Sequence, residues 1–251
     1  MGRLVSRRAL LLHLTAVVVA ATCVRLGLWQ LDRLEQRRAF NALVRAREAM
    51  PVEPVGRLLG PEGGPVAASY RRAWAEGRYD PGREVLLFGR ALDGRPGSHV
   101  LTPLLLPDGR ALVVDRGWVP LDVEGAPVAR AAPPEGEVRV EGILLPPESE
   151  DPAALAGTRM DRVSLAALSR RLPYALLPLY LELRRQEPPP GPLPRPAPPP
   201  ELSEGPHLSY AVQWFLFAGV AVGVYAALLR RELRGAPTDA VGAAGRPTGV
   251  P

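Results

Sequence analysis

The sequence contains no lysine and only one cysteine, one asparagine and one isoleucine, and the lack of cysteine limits the kinds of site and cross-link that the chain can form. Cys23 is the only cysteine, which excludes an intramolecular disulfide and a metal site built from several cysteines. All 31 basic residues are arginines, and Asn41 and Ile143 are the only residues of their types, a bias typical of a GC-rich genome. Any folded domain must therefore be stabilised by packing alone.

Charge and motif content argue against two broad function classes. The formal net charge is +5 and the pI is about 10.0, but the arginines alternate with acidic residues and form no basic stripe. The charge pattern therefore does not favour a nucleic-acid partner. The sequence has no Gly-x-Ser-x-Gly turn, no His-Glu-x-x-His pair and no phosphate-cradling glycine loop, so it gives little support to catalysis.

Two long apolar runs predict one transmembrane helix near each end of the chain. Residues 9–24 carry no charge, and the apolar character resumes after Arg25 as far as Trp29. The arginine-rich N-terminus also resembles a signal peptide, including a twin-arginine signal. No small-x-small cleavage site precedes polar sequence, so we expect an uncleaved anchor. Residues 208–229 form a second uncharged run, about 33 Å long as a helix.

The arginines that flank the two runs predict their orientation. Arg230, Arg231 and Arg234 directly follow the second run, which places its C-terminal end in the cytoplasm by the positive-inside rule. With two spans, both chain termini are then expected to be cytoplasmic. The arginines that follow the first run oppose this orientation, but the rule weakens for long loops.

Residues 31–48 predict a charged helix that continues out of the first span. A solvated arm is the alternative interpretation of this segment. The apolar residues available for a packing face on this helix are Leu31, Leu34, Ala42, Leu43 and Ala46.

Short apolar or alternating runs separated by turn signals predict a β domain between the two spans. The predicted strands are residues 70–79, 84–92, 100–106, 110–119, 138–145 and 176–183. Turns are expected at Asp93-Gly94 and at Pro107-Asp108-Gly109, and a short helix is expected from its Ser164 cap through Arg171. The pattern favours a mostly antiparallel α+β domain, either a small sandwich or an open barrel.

The three histidines are the candidate ligands. His207 opens the second run with Tyr210 and Trp214 at helical spacing, an arrangement that suits haem ligation through a neutral imidazole. The alternative is an interfacial polar residue beside ordinary belt aromatics. His13 is expected about 25 Å away along the membrane normal, so His13 and His207 of one chain cannot share one iron. His99 is predicted to open a strand as a turn residue.

The Arg116-Gly117-Trp118 segment is predicted to close a strand. The guanidinium of Arg116 is a candidate partner for a haem propionate or for a carboxylate of a partner protein. The alternative is local, with Arg116 paired to Asp122 and Trp118 packed in the core.

Four short segments occur in a fixed order along the chain. They are residues 26–33, 97–103, 116–120 and 207–215, which read LGLWQLDR, GSHVLTP, RGWVP and HLSYAVQWF. Together they resemble the Surfeit locus protein 1 family of cytochrome c oxidase assembly factors. The similarity covers almost the whole chain from Leu26 to Arg231, and the sequence departs from the family pattern at Asp115 and Gly205-Pro206, where family members often have asparagine.

This resemblance implies a non-enzymatic role in which transiently bound haem a is passed from haem a synthase to cytochrome c oxidase subunit I. It implies His207 as the axial ligand with Tyr210 and Trp214 as neighbours, while Trp29 and Gln30 close the pocket. The expected location is the bacterial inner (plasma) membrane, with the central domain outside. Two rivals are a haem-free scaffold for oxidase assembly intermediates and a membrane-tethered enzyme with a site around His99, Asp108 and Asp115.

The expected organisation follows from these assignments and has five parts. They are a cytoplasmic N-terminus at 1–8, a first transmembrane helix at 9–29, an outer β-rich domain at 30–206 with a proline-rich linker at 188–200, a second transmembrane helix at 207–229, and a disordered cytoplasmic tail at 230–251.

Overall fold

The computed structural model describes residues 7–123 and 125–234, without the side chains of Arg8 and Glu232. The N-terminal residues 1–6 and most of the predicted tail, residues 235–251, lie outside the described residues. The chain divides into two compact units. One combines the chain up to Phe40 with the chain from Ser203 onward, and the other comprises Asn41–Leu202.

Two long helices form the first unit. Helix α1 runs from Arg7 to Glu48, so its last turns belong to the second unit, and α5 runs from His207 to Arg234. Both helices are long and apolar enough to cross a membrane, with best-window mean hydropathies of 2.0 and 1.9. Only 11% and 6% of those windows are buried, so most of their apolar residues are at least partly exposed in the described part of the chain.

Nine strands and three short helices build the second unit within the described residues. The helices are α2 (Val55–Leu58), α3 (Pro65–Ala68) and α4 (Leu165–Ser169). The strands are β1 (Glu53–Pro54), β2 (Arg72–Tyr79), β3 (Val85–Leu92), β4 (Arg95–Leu105), β5 (Ala111–Pro120), β6 (Glu137–Leu145), β7 (Leu155–Ala156), β8 (Arg159–Met160) and β9 (Tyr180–Glu187).

The sheet curls into a barrel because β2 pairs with β4 as well as with its neighbour β6. The strand order is β1-β2-β6-β9-β5-β4-β3-β8-β7, and an extra pairing of β2 with β4 closes the ring β2-β6-β9-β5-β4. The ring is antiparallel except where β5 runs parallel to β9. The prediction of a small β domain with terminal apolar helices is thus confirmed, and the sheet is barrel-like.

Apolar side chains fill the barrel as the alternation of its strands requires. Leu104, Leu112, Val140 and Leu181 all lie in one buried cluster and are fully inaccessible to solvent. Strand β5 is buried along nine of its ten residues, which explains why its first four residues, 111–114, are apolar without alternation. This strand carries Asp115, Arg116 and Trp118, so all three enter the interior of the domain.

Local turn chemistry predicted several boundaries correctly. Asp93 and Gly94 both have positive φ, at 52° and 73°, and connect β3 to β4 in a two-residue hairpin turn. The second turn, at Pro107-Asp108-Gly109, connects β4 to β5 as predicted. Ser164 caps α4 by accepting a hydrogen bond from the amide of Ala167 at 3.1 Å. The helix ends at Ser169, two residues before the predicted end.

Other predictions about the second unit were wrong. Strand β4 begins at Arg95, directly after the turn, so His99 lies inside the strand and does not open it. Strand β9 spans Tyr180–Glu187 and not residues 176–183, because Pro178 lacks the amide that a ladder needs and Gln186 is buried further on.

The predicted packing face of residues 31–48 is only partly correct. Leu34 is buried, but Ala42, Leu43 and Ala46 are exposed, and Asn41 and Val44 are buried in their place. Leu34, Asn41 and Val44 follow one another at helical spacing. The buried face of the helix therefore differs from the face that the apolar residues predicted.

The proline-rich linker at 188–200 is hydrogen-bonded to the barrel. Arg195 exchanges both backbone hydrogen bonds with Trp118, at 2.7 and 2.9 Å, and Ala197 is buried. Part of the linker, including Arg195 and Ala197, therefore belongs to the β domain.

Candidate functional site

The two long helices pack through stripes whose spacing alternates between four and three residues. This spacing averages 3.5 residues, the repeat of a left-handed helix pair, and most of its positions carry small side chains that permit close approach. The buried or half-buried stripe positions are Ala9, His13, Ala16, Ala20, Cys23, Gly27, Gln30 and Leu34 on α1, with His207, Ala211, Trp214, Ala218, Ala221 and Tyr225 on α5.

Side-chain contacts fix the antiparallel register of this pair. A Cβ atom on Gly27 would lie 2.7 Å from the ring of Phe215, so any other residue at position 27 would require that ring to move. At one end of the pair, Tyr225 contacts Nδ1 of His13 through its hydroxyl at 2.8 Å, and the two rings meet edge to face.

We predict that cysteine at position 218 will form a disulfide with Cys23. The contacts at Gly27 and His13 lie on either side of Cys23 and bring Ala218 opposite it, and both positions are buried on the facing stripes. After mild oxidation of the full chain, the Ala218→Cys variant should lose both free thiols to an intramolecular bond, as measured by thiol labelling and mass spectrometry. Val220→Cys, 63% exposed on the same helix, is the control. Equal labelling of the two variants would contradict this register.

His207 lies at the other end of the helix pair and contacts Gln30. Its Nδ1 atom lies 2.9 Å from Oε1 of Gln30, an amide oxygen that only accepts, so Nδ1 carries the proton. The lone pair of the imidazole is then on Nε2. Metal-binding histidines commonly have this arrangement, in which a fixed acceptor holds one ring nitrogen and leaves the other for the metal.

Gly205 lies beside the free nitrogen of that ring. Its φ of +69° belongs to the left-handed region, and a Cβ atom there would lie 3.6 Å from both Nε2 and Cδ2 of His207. Three residues before His207, Glu204 accepts a bidentate pair of hydrogen bonds from Arg38 at 2.9 and 2.8 Å. Arg37 also donates to the carbonyl of Ser203 at 3.1 Å. The segment before α5 is therefore attached to α1.

The three aromatic residues predicted for this site occupy different positions around His207. Trp214 lies on the facing stripe two turns along α5, with its ring edge to face against Phe217 at 5.8 Å. Trp29 and Tyr210 lie outside the stripes and are 46% and 47% exposed. The helices therefore bring His207 and Gln30 into contact and place the aromatic surfaces of Trp29 and Tyr210 on the outside of the pair.

Arg116 lies inside the β domain, with its side chain 1% exposed. Its Nη1 atom lies 3.3 Å from Oε2 of Glu84, and its guanidinium stands 5.3 Å from the ring centre of Tyr79. The predicted local pair with Asp122 is wrong, because Asp122 pairs with Arg130. Arg116 as a cofactor contact stays a prediction, and the pair with Glu84 gives it a structural role.

Burial shifts the pKa of both members of this pair toward the neutral forms. It raises the pKa of Glu84 and lowers the pKa of Arg116, and their mutual attraction opposes each shift. Glu84 also accepts hydrogen bonds from Thr102 at 2.9 Å and from the amide of Val128 at 2.7 Å. The carboxylate thus connects three separate segments of the domain.

A second histidine contact occurs in the β domain. Nδ1 of His99 lies 2.8 Å from Asp115, whose other oxygen accepts the amide of Gly117 at 3.0 Å. Asp108, the third residue of the enzyme hypothesis, lies in the exposed hairpin turn and binds Arg110. The structure therefore pairs two of the three residues and separates the third from them.

Within the described residues, no group of three or more histidine, cysteine, aspartate or glutamate side chains is placed to hold a metal ion. A metal porphyrin needs fewer protein ligands, since the macrocycle itself supplies four nitrogens and needs only an axial one. Among the described residues, His207 is held by a hydrogen bond at Nδ1 alone, so its Nε2 could supply that axial ligand.

The sequence interpretation names both acceptors but not the contacts they make with the two histidines. Asp115 is grouped with His99 in the enzyme hypothesis, and counting back from the hairpin turn at 107–109 places residues 99 and 115 on one face of the sheet. Gln30 is placed at the pocket of His207 only by the family resemblance, because the two residues are 177 positions apart and no local pattern predicts their direct contact.

Comparisons with known proteins add an independent finding. The model of the SURF1 family matches residues 17–219. An uncharacterised SURF1-like protein of Mycobacterium bovis is 30% identical over 244 residues, which cover 90% of this chain and 88% of that protein. A SURF1-like protein of Monosiga brevicollis is 26% identical over 250 residues, covering 90% of both chains. A SURF1-like protein of Dictyostelium discoideum is 30% identical over 101 residues, or 37% of each chain.

Proposed function

Because the chain belongs to the SURF1 family, we propose that it is a membrane-anchored, non-enzymatic assembly factor for cytochrome c oxidase that binds haem a through His207. In this proposal the protein receives haem a from its synthase and passes it to subunit I of the oxidase. The observation that carries the proposal is the imidazole of His207, which is held on Nδ1 by Gln30 and has Gly205, a residue without a side chain, beside Nε2.

Membrane insertion of α1 and α5 is part of this proposal. Their exposed apolar side chains would face lipid, which removes the cost of leaving that surface in water. Arg230, Arg231 and Arg234 favour a cytoplasmic end for α5, and therefore an outer position for His207 and for the β domain. The compartment is the plasma membrane of a bacterium, with both termini inside.

The exposure of the site favours carriage over permanent binding. His207 is half-buried, and Trp29 and Tyr210 present flat aromatic surfaces to the outside of the helix pair. A site with this much exposed surface would leave a bound macrocycle accessible to a partner, which allows its release. Bound haem a would supply the iron and its four equatorial nitrogens, while the chain supplies the axial imidazole and its orientation.

The experiment that tests the proposal compares histidine variants of the full chain purified from a host that makes haem a. The unmodified chain and the His13→Gln variant should both show haem a-type visible absorption, because glutamine can still contact Tyr225. His207→Ala should show none. Haem a absorption that persists in His207→Ala would remove His207 as the ligand.

The same preparations separate the carrier from the haem-free scaffold. Absence of haem a from the unmodified chain, with co-purification of oxidase subunit I, would replace the carrier hypothesis with the scaffold. If His207→Ala loses haem a yet still co-purifies with subunit I, partner docking and haem binding are separate properties of the molecule. That result would agree with the carrier hypothesis.

A further inference from the structure

We propose that Gln30 is a positioning residue for the axial histidine and that Gly205 keeps the ligating nitrogen accessible to a macrocycle. This inference rests on the proposed function and extends it to two residues that do not themselves ligate. It starts from the two sides of the His207 ring, which meet different neighbours. One ring nitrogen has a fixed partner from the opposite helix, and the other faces a residue without a side chain.

Gln30 sets which nitrogen of His207 is available. Neutral imidazole exists in two tautomers, and only the one protonated on Nδ1 can donate to Oε1 of Gln30. This contact also fixes the ring about its χ2 angle. Because Gln30 is on α1 and His207 is on α5, correct orientation of the ligand depends on pairing of the two helices. Loss of such an orienting partner typically lowers metal affinity 10–100-fold.

Gly205 decides what can approach Nε2. A Cβ atom at this position would have only Nε2 and Cδ2 of His207 within 4 Å, apart from its chain neighbours, among the described residues. The added methyl would therefore lie beside the Nε2–Cδ2 bond of the ring, next to the nitrogen that carries the lone pair. A metal bonded to imidazole lies about 2 Å from the nitrogen.

A methyl group in that position would crowd a macrocycle bound through Nε2. The porphyrin nitrogens surround the metal in a plane, so atoms of the macrocycle come to within roughly 3–4 Å of the ligating nitrogen. This is the distance at which a methyl group on residue 205 would lie, 3.6 Å from Nε2. The absence of a side chain at position 205 thus leaves room for a flat, wide ligand.

The test uses variants of the full chain in detergent, freed of haem and titrated with haem a while the visible and electron paramagnetic resonance spectra are recorded. Gly205→Ala should lower haem a affinity at least 10-fold. The matched control is Gly109→Ala, which has a similar positive φ of 81° in an exposed hairpin turn with no atom within 4 Å of the new Cβ. It should bind haem a as the unmodified chain does.

Gln30 is tested by a pair of variants with similar shapes. Gln30→Leu removes the acceptor and should lower affinity 10–100-fold and broaden the spectrum of the bound iron, because the ring loses its fixed orientation. Gln30→Glu keeps an acceptor and should retain tight binding with a single spectral form. Disulfide formation between Cys23 and Ala218→Cys, introduced into each variant, verifies that the helix pair is intact.

The outcomes separate this inference from the proposed function. If the unmodified chain binds haem a and Gly205→Ala binds it equally well, the access role of Gly205 is overturned while the haem carrier stands. Unchanged affinity and spectra in Gln30→Leu would overturn the positioning role in the same way. Failure of the unmodified chain to bind haem a at all would overturn the proposed function, and with it this extension.

Discussion

A His207→Gly variant is expected to lose haem a-type absorption completely and to recover it when free imidazole is supplied. The variant removes the only ligand that the account assigns, but it leaves Gln30 in place to accept a hydrogen bond from an added imidazole. Position 207 is the first residue of α5, where glycine costs little helix stability. The measurement is the visible spectrum of the haem a-titrated variant with and without millimolar imidazole.

Recovery by imidazole separates loss of a ligand from loss of the fold. Phenol, which is flat and of similar size but lacks an imidazole nitrogen, is the negative control for the added compound. His207→Gly combined with Gln30→Leu should need more imidazole for the same recovery, because the acceptor is gone. Full absorption in His207→Gly without imidazole would show that another residue ligates the iron.

A Glu84→Ala variant is expected to lower the unfolding free energy of the β domain by about 3–5 kcal/mol, the usual cost of leaving one buried charge unpaired. Glu84 and Arg116 are each only 1% exposed, and Glu84 is the anionic partner that the structure gives to Arg116. Nη2 of Arg116 already lacks a hydrogen-bond partner among the described residues. The variant would also release Thr102 and the amide of Val128.

Chemical denaturation of the full chain in detergent measures this effect, with circular dichroism at wavelengths that report sheet. Glu76→Ala is the matched control, because Glu76 pairs with Arg139 at 3.1 Å on the surface, with both side chains about half exposed. Its loss should cost about 0–1 kcal/mol. A Glu84→Leu, Arg116→Met double variant should lose less stability than Glu84→Ala, since no unpaired charge remains. A loss for Glu84→Ala as small as that of the control would contradict the buried pair.

The features that the sequence predicted correctly are those specified by neighbouring residues. The hairpin turns at Asp93-Gly94 and Pro107-Gly109 follow from backbone preferences of a few residues. The apolar helices and the Ser164 cap are likewise local properties. The four family segments add the candidate ligand His207, because their order along the chain carries information that no single segment has.

The features that the sequence interpretation missed depend on which strands become neighbours in the folded sheet. Glu84 and Arg116 are 32 residues apart and meet only because β3, β4 and β5 are neighbours in one curved sheet. The local partner Asp122 was the natural choice from sequence spacing, but its side chain is 65% exposed and contacts Arg130. The parallel pairing of β5 with β9 is similarly invisible to a periodicity argument, since it leaves the alternation of each strand unchanged.

The most direct test of the central claim is the nitrogen hyperfine signal of the iron in haem a bound to the full chain. When histidine is labelled with ¹⁵N, we expect the iron to couple to one labelled imidazole. This coupling should disappear in His207→Ala but persist in His13→Gln. A coupling that survives in His207→Ala, or bound haem a without any histidine coupling, would contradict the account.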